Sequence, residues 1–172
     1  SLVEKVEGKE SPFALLVLNK GGDHVDFVYS GVRKDFKIRD KNLKKLNNTK
    51  WIYITSLEKG WQSNLDKIFA LNKPKIAWNP GNKQIRAGLP KLKKYLTRVD
   101  VLCVNKDEAI ELAISAPQYT NKPKSYLNNT RNLLKILKEY GAGTVVITRG
   151  KGGSNVYDGN RIYSQKADTT KK

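Results

Sequence analysis

An α/β fold built on a mostly parallel sheet is what this 172-residue sequence predicts. Three observations carry the prediction. Short unbroken apolar runs at residues 51–55 (WIYIT), 75–78 (KIAW), 99–104 (VDVLCV) and 144–148 (TVVIT) read as strands buried on both faces. The segments between them repeat apolar residues every three to four positions, the spacing of amphipathic helices. Strand and helix then alternate from Trp51 to Thr148, the pattern of a parallel sheet covered on both faces.

The elements follow in chain order. Residues 11–20 (SPFALLVLNK) and 25–30 (VDFVYS) are two short apolar strands joined across Gly21-Gly22-Asp23, a hairpin that stands apart from the later pattern. RDKNLKKL, residues 39–46, reads as a short polar helix. After the strand at 51–55, Trp61, Leu65, Ile68 and Phe69 fall on one helical face, with Ser63 near the helix start. The strand at 75–78 runs into Asn79-Pro80-Gly81. Ile85, Leu89, Leu92 and Leu96 share a face, and Gly88 with Pro90 delays the regular helix to Pro90, since proline suits a first helical position. The strand at 99–104 precedes a helix over 106–114, and a polar loop holding Pro117 and Pro123 fills 115–124. Leu127, Leu133, Leu134 and Leu137 mark one more helix, stopped by Gly141-Ala142-Gly143. After the strand at 144–148, residues 155–157 and 161–163 form a closing hairpin across Asp158-Gly159-Asn160. The organisation expected is a hairpin region with its flanking strand over 1–38 and an α/β core over 39–172.

Composition excludes several function classes. Cys103 is the sole cysteine and His24 the sole histidine, so an internal disulfide is impossible and a zinc site or Ser-His-Asp triad has almost no support. Inside its apolar run Cys103 reads as a buried structural thiol, and the cysteine usage suits a reducing, cytoplasmic setting. No run approaches the roughly 20 apolar residues that span a bilayer. The first ten residues, SLVEKVEGKE, are charged where a signal peptide is apolar; the absence of Met at position 1 suggests a start upstream or a processed one. The net charge of +17 invites a nucleic-acid partner, but it comes mostly from lysine, with seven arginines, and is scattered over every predicted helix. Base reading favours arginine. A solvated lysine-rich surface is therefore preferred, with no specific nucleic-acid partner.

In an open parallel sheet ligands collect beyond the carboxyl ends of the strands. Three such ends carry polar or glycine-bearing sequence: Asn79-Pro80-Gly81, Asn105-Lys106-Asp107-Glu108, and Thr148-Arg149-Gly150-Lys151-Gly152-Gly153. Each has a purely structural reading. The first is a common turn, and the third could be a tight turn. In the second, Asn105 as N-cap with Glu108 three residues on would cap the next helix.

Taken together and in order, VDVLCVNKDEAIELA followed by GAGTVVITRGKGGSNVYDG resembles the pfkB (ribokinase-like) family of carbohydrate and nucleoside kinases. WNPGNKQIRAGLPKLKKYLTRVDVL resembles the preceding strand and helix, and SPFALLVLNKGGDHVDFVYSGVRKDF the family's β-lid, so the likeness covers nearly the whole chain. It implies a ribokinase-like three-layer α/β/α fold with a small β-lid hairpin, and ATP-dependent phosphorylation of a sugar or nucleoside hydroxyl. Asn105 and Glu108 match the N-x-x-E motif, which in the family organises Mg²⁺ and its waters near the ATP phosphates; Glu108 is the implied metal residue. Thr148, Gly150 and Gly153 match T-x-G-x-x-G, the loop lining the nucleotide, with Arg149 and Lys151 adding positive charge. Asn79 falls where the family places a polar residue facing phosphate transfer. The hairpin around residues 23–29 would cover the sugar pocket and make a homodimer contact in the intact protein.

The sequence departs from the family at both ends. No strand with a glycine-rich sugar-binding segment precedes Ser1, and the chain stops at Asp168-Thr169-Thr170-Lys171-Lys172 without the G-A-G-D box whose aspartate is the family's catalytic base. The expectation is a central portion of such a kinase, with no catalytic base among these residues. The other readings carried forward are a non-catalytic pfkB-like binding or regulatory protein, and a basic nucleic-acid-binding α/β domain.

Overall fold

A computed structural model describes residues 5–19 and 24–168. Strands β1 (Phe13–Leu18) and β2 (His24–Tyr29) pair antiparallel, Phe13 opposite Tyr29 and Leu18 opposite His24, into a two-stranded sheet of their own. The expected turn residues Gly21, Gly22 and Asp23 lie outside the described residues. Leu15 and Phe27 share one face of this sheet and Leu16 and Val28 the other, and all four are more than half exposed.

A 3₁₀ turn at Gly31–Asp35 leads to α1 (Asp40–Asn47), the short polar helix expected. The chain then builds β3 (Trp51–Ile54), α2 (Trp61–Phe69), β4 (Lys75–Trp78), α3 (Asn82–Ile85), α4 (Gly88–Leu96), β5 (Val101–Asn105), α5 (Lys106–Ile114), α6 (Lys124–Leu127), α7 (Thr130–Glu139), β6 (Thr144–Thr148), β7 (Ser154–Tyr157) and β8 (Ile162–Gln165). These strands form one six-stranded sheet in sequence order, β3 to β6 parallel and β6 to β8 antiparallel. Among the described residues no helix is long and apolar enough to cross a membrane.

The core lies where α2, α4, α5 and α7 meet one face of this sheet. Ile76, Trp78, Leu102, Val145 and Ile147 point into it and are fully buried with Leu65, Leu92, Leu112 and Leu137 from the helices. Trp78 sits at its centre, edge-on to Phe69 from α2 and to Tyr95 from α4, with ring centroids 6.0 and 6.3 Å away. The α/β class with a mostly parallel sheet and a separate hairpin is the one expected. The second helical layer is not supplied by the described residues. Trp51 and Tyr53 are exposed on the opposite face, and Ala77, Val101, Cys103 and Val146 beside them are half-buried. Apolar strand runs report that both faces avoid water; they do not say which chain segment covers each.

Several local expectations shift. Cys103 alternates away from buried Leu102 and Val104 and is half-buried rather than buried. Helix α4 is entered at Gly88, whose φ of +82° makes the bend, two residues ahead of Pro90. Ser63 lies inside α2, whose N-cap is Gly60 in the left-handed region. The helix expected to include Leu127 is two helices, because the Asn129 side chain caps α7 by accepting from Arg131 N–H at 3.0 Å and Asn132 donates back to Tyr126 O.

This packing predicts opposite costs for two aromatic truncations. Trp78→Ala should lose about 3–5 kcal/mol of stability. Tyr53→Ala, on a side chain 64% exposed, should stay within about 0.5 kcal/mol. Urea denaturation of both variants measures this, and equal losses would show that Tyr53 is packed.

Candidate functional site

The parallel register brings the three polar strand ends together. Asn105, the last residue of β5, is the direct partner of Thr148, the last residue of β6. Asn105 is also the N-cap of α5. Its Oδ1 accepts from Glu108 N–H at 2.8 Å, and Glu108 Oε2 accepts from Asn105 N–H at 2.8 Å, a complete capping box. These bonds fix both side chains at the strand end. They leave Glu108 Oε1, Asn105 Nδ2 and the Thr148 hydroxyl without hydrogen-bond partners among the described residues.

Asn79 reaches the same edge from β4, donating from Nδ2 to Cys103 O of β5 at 2.8 Å. Its amide therefore ties two strand ends together. The turn after it is held from below by Gln84, which is fully buried. Gln84 Oε1 accepts from Gly81 N–H at 3.0 Å, and its Nε2 donates to Leu57 O at 2.8 Å, so one side chain joins the loops after β3 and β4. A Cβ on Gly81 would overlap the Ser56 side chain of the β3 loop, so the turn needs glycine for close approach.

The glycine-rich loop Thr148–Gly153 is closed on itself. Arg149 N–H donates to Gly153 O at 2.8 Å and Gly153 N–H to Gly150 O at 3.0 Å, while Arg149 Nη2 donates to Gly152 O at 2.6 Å. The guanidinium thus serves the loop's own geometry. The two motif glycines differ in kind. Gly153, with φ +81°, packs on the β8 exit so closely that a Cβ would overlap Gln165 O. Gly150, with φ +52°, faces open space, and a Cβ there would meet nothing within 4 Å. Lys151 is exposed beside it.

All six expected residues, Asn79, Asn105, Glu108, Thr148, Gly150 and Gly153, therefore lie on one edge of the sheet. The donor set can be set against the needs of Mg²⁺, a hard cation that keeps several waters and takes one or two carboxylates alongside substrate phosphates. Among the described residues no group of three or more His, Cys, Asp or Glu side chains is gathered to hold a metal. One carboxylate with a spare oxygen beside a spare hydroxyl and amide suits a water-rich ion shared with phosphates, and does not suit a metal caged by protein. Cys103 of β5 has its thiol pKa pushed up by burial first and by the Glu108 charge second, which favours the unreactive thiol over the thiolate.

Sequence reasoning missed the polar links between loops. Glu58 in the β3 loop, 17% exposed at its side chain, pairs with Arg33 at 2.8 Å and Lys83 of α3 at 2.9 Å. The Lys83 hydrogen bond, then the charges of Lys83 and Arg33, hold its carboxyl below the usual range against the opposing effect of burial. Gln84 belongs with it, and so does Asp100, whose Oδ2 accepts from Ile76 N–H at 2.8 Å. No spacing signal marks Glu58, Asp100 or the reach of Gln84 to Leu57, because these partners are 24–27 positions away. Asp168 is described, whereas Thr169 and Thr170, which follow it in the Asp-Thr-Thr run at the chain end, lie outside the described residues.

Comparison with known proteins places this fold. The pfkB family carbohydrate kinase pattern matches residues 1–170. No curated protein matches the sequence. Among solved structures, the ribokinase of Giardia lamblia aligns with a TM-score of 0.71 at 15% identity, covering 98% of this chain and 51% of that one. An Arabidopsis thaliana ribokinase complexed with ribose and ATP aligns with a TM-score of 0.61 at 15% identity, covering 92% and 49%. A Burkholderia thailandensis nucleoside kinase in complex with inosine gives 0.62 at 12%, covering 96% and 50%. The chain thus spans about half the length of the solved structures it matches.

Two outcomes follow from the site geometry. Asn105→Ala removes the cap and should cost about 1 kcal/mol, whereas Gly153→Ala, strained by a positive φ and a backbone overlap, should cost more, about 1–3 kcal/mol. Thermal unfolding of the two variants gives the order, and the reverse order would refute the distinction. Because burial raises its pKa, Cys103 should react with a disulfide reagent at pH 8 more slowly than free cysteine and reach the free-cysteine rate once the chain is unfolded in urea.

Proposed function

Because the chain belongs to the pfkB family of carbohydrate kinases, we propose that the whole protein phosphorylates a hydroxyl of a sugar or nucleoside with ATP. The observation that carries this reading is the register pairing of Asn105 with Thr148, which sets an N-x-x-E motif and a T-x-G-x-x-G loop side by side. Phosphoryl transfer asks a protein chiefly for positioning and for charge where negative charge builds up.

In this reading the open backbone around Gly150 receives the phosphates, with Lys151 supplying positive charge. The Thr148 hydroxyl and Asn105 Nδ2 donate to phosphate oxygens or to waters, since neither has a partner among the described residues. Glu108 Oε1 orders water around a magnesium ion, which when bound neutralises charge on the phosphates. Asn79, held by Cys103 O, fixes the gap between the ends of β4 and β5 and so sets where the acceptor approaches. No residue of this chain is given the role of catalytic base.

The hairpin fits a cover over the acceptor and a contact between two copies. Phe13, Leu15, Val17, Val25, Phe27 and Tyr29 lie on one of its faces and all are exposed. Apolar side chains gathered in this way suit a homodimer interface. A cytoplasmic location is the setting that a single, protonated cysteine suits best.

The test is Glu108→Gln in the whole protein. The amide keeps an oxygen for Asn105 N–H, so the fold should hold, while turnover of a sugar or nucleoside with MgATP should fall about 10–100-fold, as for residues that orient a metal's shell. Wild-type rates across a magnesium titration would remove Glu108 from this role.

A further inference from the structure

Among the described residues two polar side chains are buried in the core, Gln84 and Asn64. Gln84 ties the loops at the strand ends. Asn64, in α2, is turned to another task. Its Oδ1 accepts from Ile38 N–H at 2.8 Å and its Nδ2 donates to Phe36 O at 2.9 Å. One helical turn on, Lys67 Nζ donates to Ile38 O at 2.8 Å and pairs with Asp40 Oδ1 at 2.7 Å. Three backbone groups of residues 36–38 are thus met by two side chains three positions apart on α2, the spacing that puts both on one face of the helix.

Residues 36–39 lie in neither helix nor strand, so no sheet ladder supplies these partners. The Asn64 amide stands in for a neighbouring strand, accepting from one residue and donating to another two positions away. A buried amide is costly unless both its groups are paired, whereas an apolar side chain fills a core site with no such condition. What the amide adds is a definite path for residues 36–38, and the Ile38 side chain is buried in the core on that path.

The hairpin hangs from this segment. Strands β1 and β2 pair with each other and with no other strand, and Leu15, Leu16, Phe27 and Val28 are exposed, so little packing of their own places them. The stem of the hairpin is closed on itself. Val32 N–H donates to Glu10 O at 3.2 Å, and Gly31, at φ +45°, lies too near that oxygen to carry a Cβ. Hairpin and stem therefore move as one body, which reaches the α/β core along residues 33–38. Arg33 makes a part-exposed link there to Glu58, and Asn64 makes the buried one. Resting on the kinase reading above, we propose that Asn64 is a positioning residue: by holding Phe36 and Ile38 it sets where the hairpin stands relative to the sheet. It thereby governs how the acceptor is held, and it leaves the transfer step alone. It acts through the backbone of the stem and not by touching substrate.

The test has two arms. In the 172-residue chain carrying Cys103→Ser, spin labels on Leu16→Cys in β1 and Lys91→Cys in α4 report the hairpin-to-core distance by double electron–electron resonance. With Asn64 in place the distance should be single and narrow, and Asn64→Leu should widen its distribution about twofold with an unchanged circular dichroism spectrum. Lys67→Met removes only the bond to Ile38 O and the Asp40 pair, so it should fold and give an intermediate width even where the leucine variant does not fold. The second arm uses the whole protein with ATP and ribose, fructose or inosine, whichever it phosphorylates. There Asn64→Leu, or Lys67→Met to a smaller degree, should raise KM for that acceptor about tenfold while kcat and KM for ATP stay within about twofold. A distance that stays narrow in the variants, or kcat falling with the acceptor KM unchanged, would overturn the proposal. No transfer from ATP to any of the three, with the distance widened as stated, would count against the kinase reading and leave the hold of Asn64 on the hairpin standing.

Discussion

The parallel pairing of β5 with β6 is the constraint from which the rest of the site follows. Side chains alternate with a period of two along a strand, so a one-residue slip would carry Leu102, Val104, Val145 and Ile147 out of the core. The buried face thereby holds the register, and the register sets Asn105 beside Thr148 at the carboxyl edge. Core packing and site geometry are not independent here. The same apolar residues that hold the sheet together decide which polar residues meet at its end.

Backbone pairing alone does not finish that edge. Strands β4 and β5 are paired directly at Ala77 with Val101 and Trp78 with Leu102, Asp100 N–H donates to Ile76 O at 2.9 Å, and side chains then secure both ends. Asp100 accepts from Ile76 N–H at one end of the pair and Asn79 donates to Cys103 O at the other. Gln84, buried, then ties Gly81 to the β3 loop. A buried amide is costly unless its groups are paired, and Gln84 pairs both ends of its amide across two loops. The cost of an unpaired alternative is what makes the loop positions definite, and a site that works by positioning needs that definiteness.

How far the sequence was legible depends on the range of each interaction. The capping box of Asn105 and Glu108 was readable because its two partners are three residues apart and the helix that needs them follows at once. Apolar runs marked the strands, since burial on a sheet leaves a local composition. Cys103 shows the limit of that signal: it shares the run with Leu102 and Val104, yet alternation turns it to the face that the helices leave. Leu127 shows another. Its spacing to Leu133 and Leu134 suits one helix, but Asn128 and Asn129 offer side-chain hydrogen bonds that stop one turn and start the next. Glu58 and the reach of Gln84 to the β3 loop were invisible, because only the fold brings those partners together.

The same distinction decides what the charge of +17 does. Exposed pairs such as Lys94 with Asp66 contribute little to stability, and scattered lysines repel one another weakly through water. Dispersed charge of this kind favours solubility and fixes no geometry. A cation set against an apolar wall behaves otherwise, because its field is less screened. Arg33 and Lys83 show this: both pair with Glu58, whose side chain is 17% exposed, and together they tie the stretch before α1 to the loops after β3 and β4.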